Sequence, residues 1–253
     1  MIDRPAVIAH RGNSSVAPEN TMAAFETALR VGSDAIELDL QVTSDGEAAV
    51  IHNPTFNATT NGIGFVNEHP SSMLAELDAG SWFAPAFAQQ HVPTLPMVLD
   101  WLGNHERIGL LVEVKEDWPL EPLERVLAAL GEPGIADRVV VQSLSVVTME
   151  LARQLAPASN RELLIDSFDM EVLDLCQDLQ VGGCNPRGDL LVANPDLLEY
   201  LHGAGLRVSA WTLNEPMEWA LATAAGVDGI ITDRPGHLLG WLAAARSTMF
   251  THE

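Results

Sequence analysis

Short β-branched runs alternate with helical patterns along most of the chain, and this alternation constrains the fold more than any other feature. From residue 110 onward the runs begin about 20–30 residues apart, as strand–helix units in a parallel sheet require. The predicted strands are Ala6–His10, Ala35–Leu40, Leu110–Lys115, Arg138–Ser143, Glu162–Asp166, Val181–Asn185, Leu206–Leu213 and Val227–Thr232. Eight strands with a helix after each predict an α/β fold of the TIM (β/α)8 barrel type.

The helices fit into the gaps between these strands. Asn20 or Thr21 can cap the first helix, and Met22, Phe25 and Leu29 then share one face of it. The later helices are predicted at Leu95–Leu102, Leu123–Leu130, Val146–Leu155, Met170–Leu179, Pro195–His202, Pro216–Ala225 and His237–Ala245. A barrel of this kind commonly forms one domain, so residues 1–253 are predicted to be a single TIM-barrel domain.

The long gap between the second and third strands begins with a hairpin. Asp45 and Gly46 form a two-residue turn signal between two runs that can pair as antiparallel strands. With these two residues as the loop, the register places His52 opposite Asp39. A distant histidine is thereby expected to return to the mouth of the barrel.

Residues 53–92 are predicted to be a small insertion after the second strand. The segment is rich in Asn, Thr, Gly and Pro and carries five aromatic residues, Phe56, Phe65, Trp82, Phe83 and Phe87. These aromatic residues either form a small satellite core at the barrel edge or line a wall that contacts a ligand.

The chain is strongly acidic, with 35 acidic and 13 basic residues and a formal charge of −22. Such a field repels nucleic acid and anionic lipid surfaces, so a polyanionic partner is not expected. The first residues lack a basic start followed by a long apolar stretch. We therefore expect no secretory signal, no stable membrane anchor and a cytoplasmic location.

Charged residues alternate with apolar ones on two predicted strands. Glu37 and Asp39 on the second strand, with Glu113 and Lys115 on the third, should face the barrel axis. Ionised groups in a barrel interior must be paired or must hold a metal. Three carboxylates and one lysine predict a site for a hard divalent cation, Mg²⁺ or Ca²⁺. The alternative is a buried ion-pair network without a catalytic role.

The metal site and the ion-pair network predict different effects on protein stability when one carboxylate charge is removed. In a metal site without metal, the carboxylates repel one another, so removing one charge should relieve strain. We therefore expect the metal-free Asp39→Asn variant to melt no lower than wild type.

Histidines and further cations lie at the same rim. His10 ends the first strand and Arg11 follows it, while the hairpin brings His52 to the rim. Two histidines beside a metal-bound group can act as a general acid and a general base. Arg11 and Lys115 supply donors suited to phosphate oxygens, so the constellation predicts phosphoryl chemistry.

Short motifs follow one another in a set order from residue 7 to residue 235. They are His10-Arg11-Gly12, Pro18-Glu19-Asn20-Thr21, Glu37-Leu38-Asp39, His52, Thr59-Thr60-Asn61-Gly62, Pro93-Thr94-Leu95, Glu113-Val114-Lys115, Trp211-Thr212-Leu213-Asn214 and Ile231-Thr232-Asp233-Arg234-Pro235. In this order they resemble the glycerophosphodiester phosphodiesterase family of TIM-barrel enzymes.

The resemblance implies roles for eight positions of this chain. Three are metal ligands, two are the acid and base, and three contact the substrate. In that order they are Glu37, Asp39 and Glu113; His10 and His52; and Arg11, Lys115 and Trp211. Arg11 and Lys115 would meet the phosphate, and Trp211 would lie against the glycerol.

The run after His52 departs from the family pattern. The family usually has an aspartate after this histidine and an arginine a few residues on, whereas here Asn53 follows and no arginine occurs through Asn57. Asn53 can accept a hydrogen bond but adds no charge.

The resemblance implies metal-dependent hydrolysis of glycerophosphodiesters to glycerol 3-phosphate and an alcohol, by two-histidine acid–base catalysis. Attack by the neighbouring glycerol hydroxyl, through a cyclic phosphate, and direct attack by water are both open. Two other functions are open as well. One is a lysophospholipase D-type phosphodiesterase in which the aromatic residues of 53–92 accept an acyl chain. The other is a non-catalytic barrel that binds phosphodiesters.

Overall fold

A parallel β-barrel forms the centre of the molecule in the computed structural model, which describes residues 4–249. Its strands, with a short hairpin strand, are β1 Ala6–Ala9, β2 Ala35–Val42, β3 Ala48–Val50, β4 Gly109–Val114, β5 Val139–Ser143, β6 Asn160–Ile165, β7 Gly183–Pro186, β8 Ser209–Ala210 and β9 Gly229–Thr232. The parallel strands are hydrogen-bonded in the order β7-β6-β5-β4-β2-β1-β9-β8. Single parallel bridges, Gly183 with Arg207 and Arg187 with Trp211, link β7 to the chain on either side of β8. The predicted TIM barrel is confirmed.

Helices cover the outside of the barrel. They are α1 Met22–Val31, α2 Leu95–Gly103, α3 Leu120–Leu130, α4 Val146–Leu155, α5 Glu171–Leu179, α6 Gly188–Ala193, α7 Leu197–Gly203, α8 Pro216–Ala225 and α9 Pro235–Met249. Within residues 4–249, none of these helices combines the length and apolar character needed to cross a bilayer. The cytoplasmic location stays a prediction. So does the single domain over residues 1–253, whose first three and last four residues lie outside the described part.

The start of α1 separates the two capping candidates. Thr21 is the N-cap, and its Oγ1 accepts a hydrogen bond from the amide of Ala24 at 3.3 Å. Asn20 instead has a left-handed backbone, with φ of 54°, and its side-chain amide donates to Asp39 at 2.8 Å. The residue before the cap is therefore part of the barrel interior.

The two faces of β2 have opposite characters. Ile36, Leu38 and Leu40 are fully buried in the apolar layer between the barrel and the helices. Glu37 and Asp39 lie between them in the chain and are 1% and 0% exposed on the interior side. The predicted alternation of apolar and charged faces is confirmed.

The β2–β3 hairpin has a different loop from the predicted one. Leu40 pairs with Val50, and this register continues outward to Thr43, whose carbonyl accepts from the amide of Gly46 at 2.9 Å. The loop therefore contains three residues, 44–46, and Gly46 has a left-handed backbone with φ of 80°. The prediction of a two-residue loop was therefore wrong. A left-handed glycine at this position is common in three-residue hairpin loops.

The corrected register shifts the end of the hairpin by one residue. Ile51 lies opposite Asp39 and donates its amide hydrogen to the Asp39 carbonyl at 3.0 Å. The predicted pairing of His52 with Asp39 is therefore wrong. His52 follows one residue later and still reaches the barrel mouth, where its carbonyl accepts a hydrogen bond from Gln41.

The largest differences from the predicted elements lie at β8 and before α7, whereas most other boundaries shift by one or two residues. The predicted strand Leu206–Leu213 is reduced to β8, because only single bridges flank Ser209 and Ala210. A short helix that was not predicted, α6, precedes α7. Its first residue, Gly188, donates its amide hydrogen to the Trp211 carbonyl at 2.6 Å, and a side chain there would collide with Leu213.

Residues 53–92 contain three short 3-10 helices, Val66–Glu68, Ser71–Glu76 and Pro85–Phe87. Phe56 is fully buried in a small apolar cluster with Leu74 and Leu77. Phe65 and Trp82 are 50% and 44% exposed. Only Phe56 of the five aromatic residues thus joins the satellite core.

Candidate active site

A cavity of about 150 Å³ opens at the carboxyl ends of the strands, where TIM-barrel active sites lie. Seven of the eight residues singled out in the sequence line it. They are His10, Arg11, Glu37, His52, Glu113, Lys115 and Trp211. The eighth, Asp39, is fully buried behind them. The five aromatic residues of 53–92 are absent from the described lining of this cavity.

The three carboxylates form one cluster. Glu37 and Asp39 lie two residues apart on β2, and Asp39 is level with Glu113 on β4. One oxygen atom from each residue lies within 4.8 Å of the other two. Glu37 Oε1 is buried and has no hydrogen-bond partner among residues 4–249. An orphaned carboxylate oxygen in an all-oxygen donor set fits a hard divalent cation, so the cluster is compatible with one.

Two cations and one amide surround the Asp39 carboxylate. Lys115 Nζ lies 2.9 Å from Asp39 Oδ1 and 2.6 Å from Glu113 Oε1. Arg11 Nε lies 3.1 Å from Asp39 Oδ2, to which Asn20 also donates a hydrogen bond. The partners of Asp39 thus come from the loop between β1 and α1 and from the residue that follows β4.

These contacts shift the pKa values of the three carboxylates in different directions. Burial would raise the pKa of Asp39, but Lys115 and Arg11 hold it well below its ordinary value. Burial raises the pKa of Glu113 to about 7, and that of Glu37 well above its ordinary value. The Asp39 charge adds to both increases. Asp39 is therefore firmly ionised, while Glu37 and Glu113 are the carboxylates whose ionised forms gain most from an added cation.

The turn after β1 brings Arg11 into this cluster. Arg11 has a left-handed backbone, with φ of 54°, which is uncommon for a residue other than glycine. Its amide donates to Glu37 Oε2 at 2.9 Å, and its guanidinium donates to Glu19 at 2.9 Å. Gly12 follows at φ of 84°, where a side chain would lie only 2.7 Å from the backbone of Ala24. The tight turn depends on this glycine.

His10 is held by a carboxylate at the end of β9. Its Nδ1 lies 2.7 Å from Asp233 Oδ1, which also accepts from Ser14 at 3.0 Å. Asn214 donates to Asp233 Oδ2 at 2.6 Å. Burial would raise the pKa of Asp233, but the hydrogen bonds from His10, Asn214 and Ser14 lower it to about 2. An ionised Asp233 can only accept, so the hydrogen of His10 lies on Nδ1 and Nε2 is available to a ligand.

Asp233→Asn should lower kcat while changing KM little, because the amide can offer Nδ1 either a donor or an acceptor and no longer dictates the tautomer of His10. We expect a loss on the order of 10-fold, the scale of a misplaced catalytic group. Steady-state kinetics across pH would measure it. Thermal unfolding at pH 7 and at pH 2 provides a second measurement, because a carboxylate with a lowered pKa stabilises the fold above its unfolded-state pKa and loses this contribution as pH falls toward 2. Wild-type kcat in this variant would contradict the positioning role.

His52 has a neutral partner instead. Its Nδ1 lies 3.0 Å from Asn53 Oδ1, which accepts the hydrogen bond that the sequence allowed. Burial lowers the pKa of His52, the charges of Arg11 and Lys115 lower it further, and Asp39 opposes them. The neutral imidazole is therefore favoured near pH 7, with Nε2 free of its proton.

Trp211 forms part of the opposite wall. Its indole packs against an interior apolar group that includes Ile8, Leu111 and Ile231. Its Nε1 donates to the carbonyl of Asn185 at 2.8 Å, which fixes the ring plane. The ring is only partly buried, so it presents an apolar face to the cavity.

Sequence reasoning missed several residues around this cavity. Asp233 belongs to the last of the sequence motifs, but no function was predicted for it. Its position directly after a barrel strand is typical of active-site residues in this fold. Gln142, inward on β5 and also lining the cavity, was not singled out. Asn20 was considered only as a helix cap. Their contacts cross between segments far apart in sequence, which periodicity does not reveal.

Comparison with known proteins gives a consistent assignment. The model of the glycerophosphoryl diester phosphodiesterase family matches residues 10–237. A glycerophosphodiester phosphodiesterase of Caldanaerobacter subterraneus is 34% identical over 235 residues, covering 92% of this chain and 96% of that protein. One from Bacillus subtilis is 30% identical over 250 residues, covering 92% of this chain and 85% of that protein.

Solved structures share the fold. An Oleispira antarctica phosphodiesterase in complex with the product sn-glycerol-3-phosphate has a TM-score of 0.86 at 24% identity, covering 95% of this chain and 97% of that one. A glycerophosphodiester phosphodiesterase from Agrobacterium tumefaciens has a TM-score of 0.81 at 28% identity, covering 93% and 99%. The chain therefore belongs to the glycerophosphoryl diester phosphodiesterase family, and the prediction that it is an enzyme of this family is confirmed.

Proposed function

We propose that this chain hydrolyses glycerophosphodiesters to glycerol 3-phosphate and an alcohol, using a divalent cation and two histidines. The observation that carries the proposal is that two imidazoles, three carboxylates and two cations meet around one cavity at the carboxyl ends of the strands. The family match covers the residues that supply these groups.

Glu37, Asp39 and Glu113 would hold the cation, which when bound helps to neutralise charge at a phosphoryl group. Arg11 and Lys115 line the same cavity and can donate hydrogen bonds to phosphate oxygens. Their positions are set by the carboxylates they already contact. The substrate phosphate would therefore lie between the carboxylate cluster and the two histidines.

The histidines have different partners, and this supports different roles. His52 is the base that takes the proton of the attacking hydroxyl, which comes from the substrate glycerol or from water. Its neutral form is favoured, and Asn53 holds the hydrogen on Nδ1, away from the reacting atoms. His10 would act as the acid in its imidazolium form, in which Nδ1–H is bound to the Asp233 carboxylate and Nε2–H gives its proton to the leaving alcohol. Trp211 lies where it can cover the glycerol carbons.

A panel of substrates and metals tests the proposal. The protein is treated with a chelator and assayed on glycerophosphocholine, glycerophosphoethanolamine and a lysophospholipid, with Mg²⁺, Ca²⁺ or Mn²⁺ added in turn. We expect the chelated protein to lose most of its activity and Mg²⁺ or Ca²⁺ to restore it, because the cluster needs a cation to bind an anion. Added metal should also raise the unfolding temperature.

Each alternative predicts a different outcome of this panel. Turnover of lysophospholipid without turnover of glycerophosphocholine would select the lysophospholipase D function. Metal and phosphate binding without any turnover would select the non-catalytic barrel. Full turnover in a preparation shown to be metal-free would contradict the metal site.

A further inference from the structure

A buried amide network lies on the inner faces of β5, β6 and β7. Gln142 on β5 lines the active-site cavity and is 1% exposed. Asn185 on β7 is fully buried, and its Nδ2 lies 3.0 Å from Gln142 Oε1 and 2.8 Å from Glu162 Oε2. Glu162 on β6 is absent from the described lining of the cavity.

Backbone hydrogen bonding decides which end of each amide points where. The amide of Ser209 donates to Asn185 Oδ1 at 2.9 Å, and a backbone N–H has no acceptor capacity. Nδ2 of Asn185 must then face Gln142 and Glu162. Because Nδ2 only donates, Gln142 must present its oxygen to it.

The other end of the Gln142 amide is left over. Among residues 4–249, Gln142 Nε2 has no hydrogen-bond partner. It is also not one of the completely buried unpaired atoms of this part of the chain. The residue lines the cavity, so the free N–H₂ group is accessible from it. A donor prepared in this way needs an acceptor from a ligand.

We propose that Gln142 is a substrate-binding residue that donates a hydrogen bond from Nε2 to a phosphoryl oxygen, and that Asn185 is the positioning residue that turns this donor toward the cavity. The proposal rests on the proposed function and adds a neutral donor to it.

The surroundings favour a phosphoryl oxygen over a glycerol hydroxyl as the acceptor. Gln142 is level with Glu113 on the neighbouring strand. A hydroxyl can donate to carboxylates of this cluster, whereas phosphoryl oxygens can only accept. Arg11 and Lys115 already direct part of their donors to Glu19, Asp39 and Glu113. A further donor to phosphate at this wall therefore has a clear use.

Gln142→Met tests the donor, since it keeps the length of the side chain and leaves Asn185 bonded to Glu162. We expect kcat/KM to fall by roughly 10- to 100-fold, the scale of one hydrogen bond to a charged group. Inhibition by inorganic phosphate and by glycerol 3-phosphate should weaken by a similar factor, which a purely structural role would not produce. Gln142→Glu keeps the oxygen for Asn185 and replaces the donor by a second oxygen, so it should weaken phosphate inhibition at least as much.

A polarity swap tests the positioning role. The double variant Asn185→Asp/Glu162→Gln exchanges a carboxylate and an amide without changing the charge of the network. The new carboxylate still accepts from Ser209 but now requires donors from both neighbours, so Gln142 should rotate and present its oxygen to the cavity. We expect the same loss of phosphate inhibition as in Gln142→Met. Adding Gln142→Met to the swap should then have little further effect.

Glu162→Gln alone is the matched control, since its amide oxygen still accepts from Asn185 and the orientation of Gln142 is kept. Phosphate inhibition equal to wild type in both Gln142 variants would overturn the donor role. Wild-type phosphate inhibition in a folded double variant would overturn the positioning role. Failure of the wild-type protein to hydrolyse glycerophosphodiesters is a separate result, which would refute the proposed function itself.

Discussion

Asp39→Asn is expected to abolish turnover and to lower the unfolding temperature of the metal-free protein, whereas Glu37→Gln is expected to abolish turnover without lowering it. Asp39 is fully buried between Lys115 and Arg11. Removing its charge therefore takes away one of the two carboxylate partners of each cation. Breaking a buried pair costs about 3–5 kcal/mol, or roughly 10 °C for a chain of this size.

Glu37 stands in the opposite position. Its charge is opposed by burial and by the neighbouring carboxylates, and its Oε1 has no partner within the described residues. In Glu37→Gln the amide oxygen can still accept from the backbone of Arg11, and the new N–H₂ can donate to Asp39 or Glu113. Thermal unfolding in chelator, repeated with Mg²⁺, measures the difference. The exposed substitution Glu121→Gln is a control that should alter neither property.

This pair of variants revises the expectation drawn from the sequence, in which Asp39→Asn melts no lower than wild type. That expectation assumed that removing any one carboxylate charge relieves repulsion, whereas the Asp39 charge is paired with Lys115 and Arg11. An equal and large loss of unfolding temperature in both variants would mean that all three carboxylates form a structural network. The metal-ligand assignment would then have to be withdrawn.

His10→Ala and His52→Ala should each lower kcat by at least roughly 100-fold, because each removes the imidazole that moves one of the two protons. Both side chains line the cavity and contribute little to the apolar core, so the unfolding temperature should change little. Single-turnover rates at saturating substrate, together with calorimetry, would test both statements.

His237→Ala provides a matched control, because His237 is exposed on α9 and lies away from the cavity lining. It should keep the wild-type rate. If His52→Ala were as active as wild type, His52 could not be the base, and the proposed division of roles with His10 would be refuted.

The barrel could be predicted because its signal is local and repeated. Each strand–helix unit carries its own periodicity, so an error in one unit leaves the others unaffected. The hairpin register was not predictable in the same way. Asp45 accepts hydrogen bonds from Thr43 and from Ser71, and the second residue belongs to the insertion. An Asp-Gly pair is compatible with two loop lengths, and a tertiary contact accompanies the one adopted.

The kinds of residue in the site could also be predicted, because strand alternation places Glu37, Asp39 and Glu113 inside the barrel. The difference between their pKa values could not be predicted. It depends on Lys115 and on Arg11, which reaches Asp39 only through a left-handed turn. Sequence periodicity reports which face a side chain occupies, and gives no information on which charges will touch within that face.

The length of the three-residue loop in the β2–β3 hairpin sets the position of a proposed catalytic histidine. β2 carries two of the carboxylates, and the return strand places His52 by counting residues from the loop. Adding or deleting one residue at 44–46 would move every following side chain to the opposite face of the pleat, and His52 would turn away from the cavity. Surface loops normally tolerate changes of length. At this one, relatives should conserve the number of residues, so an alignment gap within it would mark a chain whose site is assembled differently.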